Sequence, residues 1–131
     1  MQLQYEVTFE VFEQKFYSRL AIQRSYRKLT ASTVWTEIYS VIKGSLKAAS
    51  SYCGYVQLHD YLSDEGSSFL SGGDKRNIYF AFLQYEKWKS NVGAFDFMDV
   101  VHHVWSNRWS GIGYSKLYGK LQFDYLLVDE V

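Results

Sequence analysis

The spacing of apolar residues changes from strand-like to helix-like near the start of the chain. The segment LQYEVTF, residues 3–9, alternates apolar and polar side chains, which predicts a strand over residues 4–8. From Phe9 onward the apolar residues recur at helical spacing, which predicts a helix over residues 9–20 with Thr8 as its cap. A strand that leads through a capping residue into a helix is typical of an α/β unit.

Helical spacing recurs in the middle of the chain. It predicts further helices over residues 33–43, 74–90 and 97–107. Ser32 is the expected cap of the first of them. Residues 50–73, which are rich in serine and glycine, are predicted to be mainly loop, with a short helical turn over residues 55–62. Asp96 stands three positions before Asp99, which is an approximate capping box and favours a helix start at this point. We expect the helices to share one core, and the residues assigned to it are Phe12, Ile38, Phe82 and Val101.

A second strand is predicted in the final sequence, FDYLLVDEV. Its apolar residues predict a buried strand over residues 123–128, which leads directly into Asp129 and Glu130. We expect this strand and the strand over residues 4–8 to be parallel neighbours in one small sheet. Because an isolated pair of strands is marginally stable, the chain is predicted to be a mostly helical α/β fragment, in which a helical insertion separates two strands of a larger sheet.

Composition excludes several classes of protein and leaves the function open. The 131 residues suffice for one domain, and a hydrophobic content of 47% excludes a disordered chain. Fourteen basic residues balance fourteen acidic ones, so net charge gives no evidence for nucleic-acid or membrane partners. The sequence shows no apolar run of membrane-spanning length, no signal peptide and a single cysteine, Cys53. We therefore expect an intracellular protein, nuclear or cytoplasmic, with no membrane partner.

The acids after the predicted terminal strand are the first candidates for chemistry. An aliphatic strand that ends in Asp-Glu, as in LLVDE, is the pattern of the second nucleotide-site motif of NTPases, where the Asp holds Mg²⁺ and the Glu polarises water. Alone this motif is weak, because apolar strands followed by surface acids are common. The phosphate loop Gly-x-x-x-x-Gly-Lys-Ser/Thr, which cradles the nucleotide in such enzymes, does not occur in the sequence.

A longer segment, YEKWKSNVGAFDFMDVV, stands at residues 85–101, upstream of these acids. It resembles the segment that UvrD/Rep-type superfamily 1 helicases carry shortly before the Mg²⁺ motif. Asp96, Phe97 and Asp99 match the Asp-Phe-Asp-Asp-like run of the family. Met98 departs from it, because an acid is usual at this position.

Two other segments carry a resemblance to the same class of protein. VTFEVF, residues 7–12, resembles the Thr-Phe-His segment that lies beside the nucleic-acid path of the helicases. Thr8 and Phe9 match this segment, and Glu10 stands where His is usual. VWTEIYSVIKGSLKA, residues 34–48, is similar to a stretch of the large helicase-like proteins known as TPR and ankyrin repeat-containing proteins.

The helicase resemblance implies a function for the intact parent protein, namely ATP hydrolysis coupled to translocation on nucleic acid. It implies that Asp129 binds Mg²⁺, that Glu130 is the catalytic residue that orients or activates water, and that Thr8 and Phe9 lie near the nucleic acid. ATP and Mg²⁺ are then the cofactors of the parent, and its partners are DNA or RNA and the remainder of the helicase core. The isolated chain is expected to be inactive and to bind no cofactor, because it lacks the phosphate loop.

The resemblance also implies a division of the chain into three parts. Residues 1–20 would be a strand and helix of a RecA-like core, residues 21–95 a helical insertion, and residues 96–131 a return helix and the Mg²⁺-motif strand. The chain is therefore expected to be a piece of a longer protein. The competing hypothesis is a non-catalytic helical protein–protein interaction module, and the departures at Glu10 and Met98 favour it.

Several further side chains admit two interpretations. Five basic residues could contact phosphates, but solvated helix faces carry the same residue types; they are Arg24, Arg27, Lys28, Lys43 and Lys47. Trp88 and Trp109 are the better candidates for surface aromatic side chains that stack on bases, although most aromatic residues at helical spacing belong to a core.

Overall fold

The computed structural model describes residues 5–20, 29–63 and 70–107, and these residues are mostly helical. The elements, in chain order, are β1 (Tyr5–Glu6), α1 (Phe9–Val11), α2 (Ala31–Thr36), α3 (Leu46–Ser50), α4 (Leu58–Ser63), α5 (Gly72–Val92), β2 (Ala94–Phe95) and α6 (Phe97–Ser106). Two helices continue in other helical forms, α1 through a π-helix at Phe12–Phe16 and a 3-10 turn at Tyr17–Arg19, and α2 through a π-helix at Glu37–Ile42. Among the helices in these ranges, none has the length and apolar character needed to cross a membrane.

The prediction of a mostly helical fold with a small parallel sheet is confirmed, but β1 has an unexpected partner. It pairs in parallel with β2, which places Tyr5 opposite Ala94. A strand of two residues is too short to show an alternating pattern, so β2 could not be recognised from the sequence. The expected partner, the strand over residues 123–128, lies outside the described residues. Since the described residues form only this two-stranded sheet, they show no RecA-like fold.

Polar side chains determine where the helices begin. The predicted caps Thr8 and Asp96 are confirmed, since each accepts a hydrogen bond from a backbone N–H in the first turn of its helix. The helix predicted over residues 33–43 begins at Ala31, because Thr30 rather than Ser32 is its cap. Likewise α5 begins before the predicted position because Ser71 caps it. The five residues of α3 were not predicted, because they are too few to establish a periodic pattern.

Three of the four predicted core residues are correct, and one is wrong. Phe12, Ile38 and Phe82 are completely buried. Val101 is 38% exposed, whereas its neighbour Val100 is buried. The cause is the rotation of α6 about its axis. The capping box turns the acids at the start of this helix toward the protein, and the side of the helix that carries Val101 faces outward.

Phe12 stands at the centre of an aromatic core. The ring centroids within 5.0 to 5.9 Å of it belong to Phe16, Tyr17, Trp35 and Tyr85. These rings come from α2, α5 and the run Phe9–Arg19, which we call the first helical segment. Buried aromatic rings supply large apolar areas and favourable edge contacts, so this one position joins three parts of the chain.

Replacing Phe12 with Ala should destabilise the protein by about 3–5 kcal/mol, because it removes a completely buried ring and leaves a cavity. The matched control is Phe80→Ala, since Phe80 is 50% exposed and its loss should change the free energy of unfolding by about 0.5 kcal/mol or less. Urea denaturation followed by circular dichroism measures both. Equal losses in the two variants would contradict this description of the core.

Candidate functional site

Five charged side chains meet where the end of the π-helix that continues α2, the end of α5 and the start of α6 come together. They are Lys43, Glu86, Lys89, Asp96 and Asp99, and we call them the charge cluster. Lys43, Lys89 and Asp96 are buried, with exposed fractions of 6%, 4% and 0%. Because charged side chains are seldom buried unless they are paired, this cluster is the strongest candidate for a functional site among the described residues.

The short sheet and the capping box hold the two aspartates in place. Val7 N donates to the carbonyl oxygen of Phe95 at 2.7 Å, so Asp96 directly follows a fixed strand end. Asp99 N donates to Asp96 Oδ1 at 2.8 Å, and Asp96 N donates to Asp99 Oδ2 at 2.9 Å. These reciprocal bonds satisfy two backbone N–H groups at the start of α6 and fix both carboxylates.

The carboxylate of Asp96 accepts four hydrogen bonds. Its Oδ2 accepts from Lys43 Nζ at 2.7 Å, from Lys89 Nζ at 2.9 Å and from the Tyr85 hydroxyl at 2.8 Å. Its Oδ1 accepts from the backbone of Asp99. Three donors therefore crowd Oδ2, and one engages Oδ1, which retains one acceptor position. Because Asp96 is completely buried, that remaining position is not exposed to solvent.

The other two acids complete the neutralisation of the lysines. Asp99 Oδ1 lies 2.7 Å from Lys43 Nζ, and Asp99 Oδ2 lies 2.6 Å from Lys89 Nζ. Glu86 approaches the same two ammonium groups at 3.3 Å and 2.5 Å, the shorter contact being an ion pair without hydrogen-bond alignment. Three carboxylates against two ammonium groups leave one formal negative charge. Glu86 and Asp99 are partly exposed, so water can screen that charge.

The pKa values in the charge cluster are shifted strongly. Burial alone would raise the pKa of Asp96, but the ammonium groups of Lys43 and Lys89 outweigh it and lower this pKa to about 2. Burial would lower the pKa of Lys89, and the surrounding carboxylates, Asp96 foremost, instead raise it. Burial and the adjacent Asp96 carboxylate raise the pKa of Tyr85. At neutral pH both charged groups are thus ionised and the phenol is protonated, which is the state of a structural ion-pair network.

A divalent cation is the ligand that three clustered acids suggest, and the geometry disfavours it. One carboxylate oxygen from each of Glu86, Asp96 and Asp99 lies within 4.8 Å of the others, a spacing that could hold a metal. The two lysine ammonium groups contact the same three carboxylates at 2.5 to 3.3 Å and supply most of the compensating charge. A cation would have to compete with these ammonium groups, so the arrangement favours an ion-pair network that stabilises the junction of the helices.

The residues predicted to bind nucleic acid have structural contacts. Thr8 Oγ1 accepts a hydrogen bond from Val11 N at 3.3 Å as the cap of α1. Phe9 is half-buried, and its ring lies 6.2 Å from that of Trp35. A role of these two residues in nucleic-acid binding stays a prediction. Asp129 and Glu130, the predicted metal ligand and catalytic residue, lie outside the described residues, as does Trp109.

Lys43 and Trp88 are less exposed than the sequence suggested. Lys43 is not on a solvated helix face but inside the charge cluster, and its partner Asp96 lies 53 positions away. No periodic pattern connects residues at that separation, so the sequence carried no signal for the pair. Trp88 is half-buried, with Tyr85 stacked at 6.2 Å between ring centroids.

Comparison with known proteins identifies a human relative. The chain is 30% identical over 105 residues to TPR and ankyrin repeat-containing protein 1 of Homo sapiens. The match covers 75% of this chain, and the chain spans about 3% of the length of that curated relative. No protein-family model matches the chain, and no solved structure matches it.

These comparisons correct the helicase assignment. No helicase family matches the chain, and the relative carries the name of a repeat-containing protein, so the UvrD/Rep-type assignment and the helicase and ATP-binding functions drawn from it are wrong. The similarity to TPR and ankyrin repeat-containing proteins is the part that the comparison supports. Asp96 and Asp99, two of the residues that match the helicase segment, form a capping box, which many helices use irrespective of function. The three-part domain division stays a prediction.

Asp96→Asn should remove the part of the free energy of unfolding that the wild-type protein loses at acidic pH. Because the pKa of Asp96 is lowered from 3.8 to about 2 on folding, its contribution is present above pH 3.8 and is lost as pH falls toward 2. The shift corresponds to about 2 kcal/mol. Between about pH 4 and pH 2, the free energy of unfolding of the wild-type protein, measured with urea, should therefore fall by about 2 kcal/mol more than that of the variant. Asp60→Asn, which changes an exposed carboxylate, should retain the wild-type dependence. Identical pH profiles for wild type and Asp96→Asn would contradict the role of Asp96.

Divalent cations should leave the thermal stability of the protein unchanged, because lysines occupy the space between the clustered acids. A bound ion stabilises in proportion to RT ln(1 + [L]/Kd), so about 5 mM Mg²⁺, Ca²⁺ or Mn²⁺ should raise Tm by less than about 1 °C. Differential scanning fluorimetry measures this. A saturable rise that Asp60→Asn retains and Asp96→Asn abolishes would instead show a cation site in the charge cluster.

Proposed function

We propose that this chain is a helical protein–protein interaction module and that the outer face of α6 is its docking surface. The observation that carries the proposal is the apolar stripe on that face, which consists of Phe97, Val101 and Trp105. The human relative supports the proposal because its name records two kinds of repeat, TPR and ankyrin, and such repeats stack into extended binding surfaces.

The stripe follows from helical geometry. Phe97, Val101 and Trp105 are spaced four residues apart, so they lie on one side of the helix along its whole length. Their exposed fractions are 50%, 38% and 43%. Phe and Trp are among the residues enriched at protein interfaces, and Trp is common at the positions that contribute most binding energy.

The anchoring of α6 favours binding as well. Asp96 and Asp99 tie the first turn to two lysines and to its own backbone, and Val100 is buried against the remainder of the protein. A helix held in this way loses little conformational freedom when a partner binds. Preorganisation of this kind increases affinity without any additional contact.

The charge cluster supports a non-catalytic role. Its central carboxylate is completely buried and accepts four hydrogen bonds, and Lys89, held by three carboxylates, is protonated and cannot act as a base or a nucleophile. We assign this cluster to scaffolding and the α6 stripe to function.

The double variant Phe97→Ser/Val101→Ser should abolish partner binding while leaving the fold intact, since both side chains are exposed. The matched control is Leu46→Ser/Tyr52→Ser, which changes two exposed apolar residues outside α6, with exposed fractions of 86% and 102%. Immobilised wild-type, variant and control chains are compared for captured proteins by quantitative mass spectrometry. A candidate partner is then purified, and its affinity is measured by isothermal titration. We expect the variant to weaken binding about tenfold or more and the control to leave it unchanged.

Two outcomes would overturn the proposal. The purified partner could bind the double variant as well as it binds the wild type. Alternatively, the double variant could lower the free energy of unfolding by more than about 1 kcal/mol relative to the control, which would mean that the α6 stripe packs within the chain itself.

A further inference from the structure

A shallow groove lies between the first helical segment and α5, away from the α6 stripe. Its volume is about 290 Å³, and its basic lining residues are Lys15, Arg19 and Lys87. The lining contains no acidic residue. Because acids and bases are equal in number over the whole sequence, three cations around one groove are a local concentration of positive charge.

The three cations are available to a ligand. Within the part of the chain that the structure describes, no carboxylate forms an ion pair with Lys15, Arg19 or Lys87. All three side chains are exposed, and the ammonium group of Lys15 lies 5.8 Å from the ring centre of Tyr5. Lys89 lies two positions after Lys87 on the same helix and differs from it in both respects. It is buried, and it contacts three carboxylates.

The remainder of the groove has both apolar and amide side chains. Phe16, Leu20 and Trp88 supply apolar surface, and Gln84 and Asn91 supply amide groups. The rings of Phe16 and Trp88 lie 5.7 Å apart. Phe16 is buried, whereas Leu20 and Trp88 are half-buried and present apolar surface to the groove. Apolar surface beside cations fits a ligand that combines a large apolar group with negative charges.

The exposed face of α5 extends this surface beyond the groove. Phe80 and Leu83 are 50% and 47% exposed and precede Lys87 by seven and four positions. At 1.5 Å per residue the distance from Phe80 to Lys87 along the helix is about 10 Å. The surface therefore suits a ligand longer than one side chain.

We propose that this groove and the adjoining face of α5 bind an acidic peptide segment of another protein. A large apolar side chain of the peptide occupies the groove beside Trp88, and its Asp or Glu carboxylates pair with Lys15, Arg19 and Lys87. The site is separate from the α6 stripe, so it goes beyond the proposed function and does not depend on it. Although the chain as a whole carries no net charge, this groove is positively charged, and it selects a partner of negative charge.

A single-stranded nucleic acid is the other polyanion to consider, and the aromatic geometry favours the peptide. Nucleic-acid grooves gain affinity from bases that stack on open aromatic faces. The rings of Tyr85 and Phe16 already contact Trp88, at 6.2 Å and 5.7 Å between centroids, and Trp88 is half-buried, so it does not present a fully open face. The exposed part of the Trp88 ring suits packing against an aliphatic or aromatic side chain better than it suits base stacking.

The test uses the full 131-residue chain and fluorescence anisotropy with defined probes. The first probe is a labelled peptide of about twelve residues in which Asp and Glu alternate with Leu and Phe, a length chosen to span the α5 face. The second has Asn and Gln in place of the acids, and the third is a labelled oligothymidine. We expect the acidic peptide to bind, the amide peptide to bind at least about tenfold more weakly, and the affinity for the acidic peptide to fall as salt is raised.

Two charge reversals identify the site. Arg19→Glu and Lys87→Glu should each weaken binding of the acidic peptide by about tenfold, since each replaces an attractive contact with a repulsive one. The matched control, Lys47→Glu, reverses an exposed lysine on α3, outside the groove, and should have little effect. Phe97→Ser/Val101→Ser should bind the acidic peptide normally, so failure of this site and failure of the α6 site are distinguishable.

Several results would overturn the inference. Absence of acidic-peptide binding at about millimolar concentration would do so, because such affinity is too weak for a specific site. Equal weakening by Lys47→Glu and Lys87→Glu would show non-specific attraction. Preferential binding of oligothymidine, lost in Arg19→Glu and Lys87→Glu, would assign the groove to nucleic acid instead.

Discussion

The carboxylate of Asp96, completely removed from water, is the group on which the described structure depends. Burying an ionised carboxylate is tolerable only if charges and hydrogen-bond donors replace the lost water, and here two lysines, a tyrosine and a backbone N–H do so. Removing one partner of such a buried pair costs about 3–5 kcal/mol. The end of the π-helix that continues α2, the end of α5 and the start of α6 must therefore meet at this point, although Lys43 lies 53 positions before Asp96.

The orientation of α6 follows from that constraint, and so does the surface that we propose to be functional. The capping box draws the side of α6 that bears the two acids toward the lysines, and this rotation turns Phe97 and Val101 outward. A helix oriented by apolar burial alone would hide its most hydrophobic face. Because the hydrogen bonds and ion pairs of Asp96 and Asp99 orient α6, this helix need not bury its most hydrophobic face. The protein can therefore present large apolar side chains on a helix that is held in place.

Structural features that depend on neighbouring residues could be predicted from the sequence, whereas features that depend on residues far apart in the chain could not. Thr8 and Asp96 were predicted as caps because capping involves only the first turn of a helix. The burial of Lys43 was missed, because a lysine that meets its acid across the fold has the same local pattern as a solvated one. The prediction that Val101 belongs to the core was wrong for a related reason. The apolar residues of α6 extend around more than one face, so their periodicity did not specify which face turns inward.

Helix α5 shows how one element serves both the scaffold and a proposed binding surface. Successive positions on a helix differ by about 100° in direction, so residues two apart point to nearly opposite sides. Lys89 points inward, where three carboxylates hold it protonated, and Lys87 points outward into a groove that has no acid. The same residue type therefore stabilises the fold at one position and leaves a positive charge available at the other. Since the inner lysine is saturated, a change of charge at Lys87 can alter binding without disturbing the buried network, and the two roles can evolve independently.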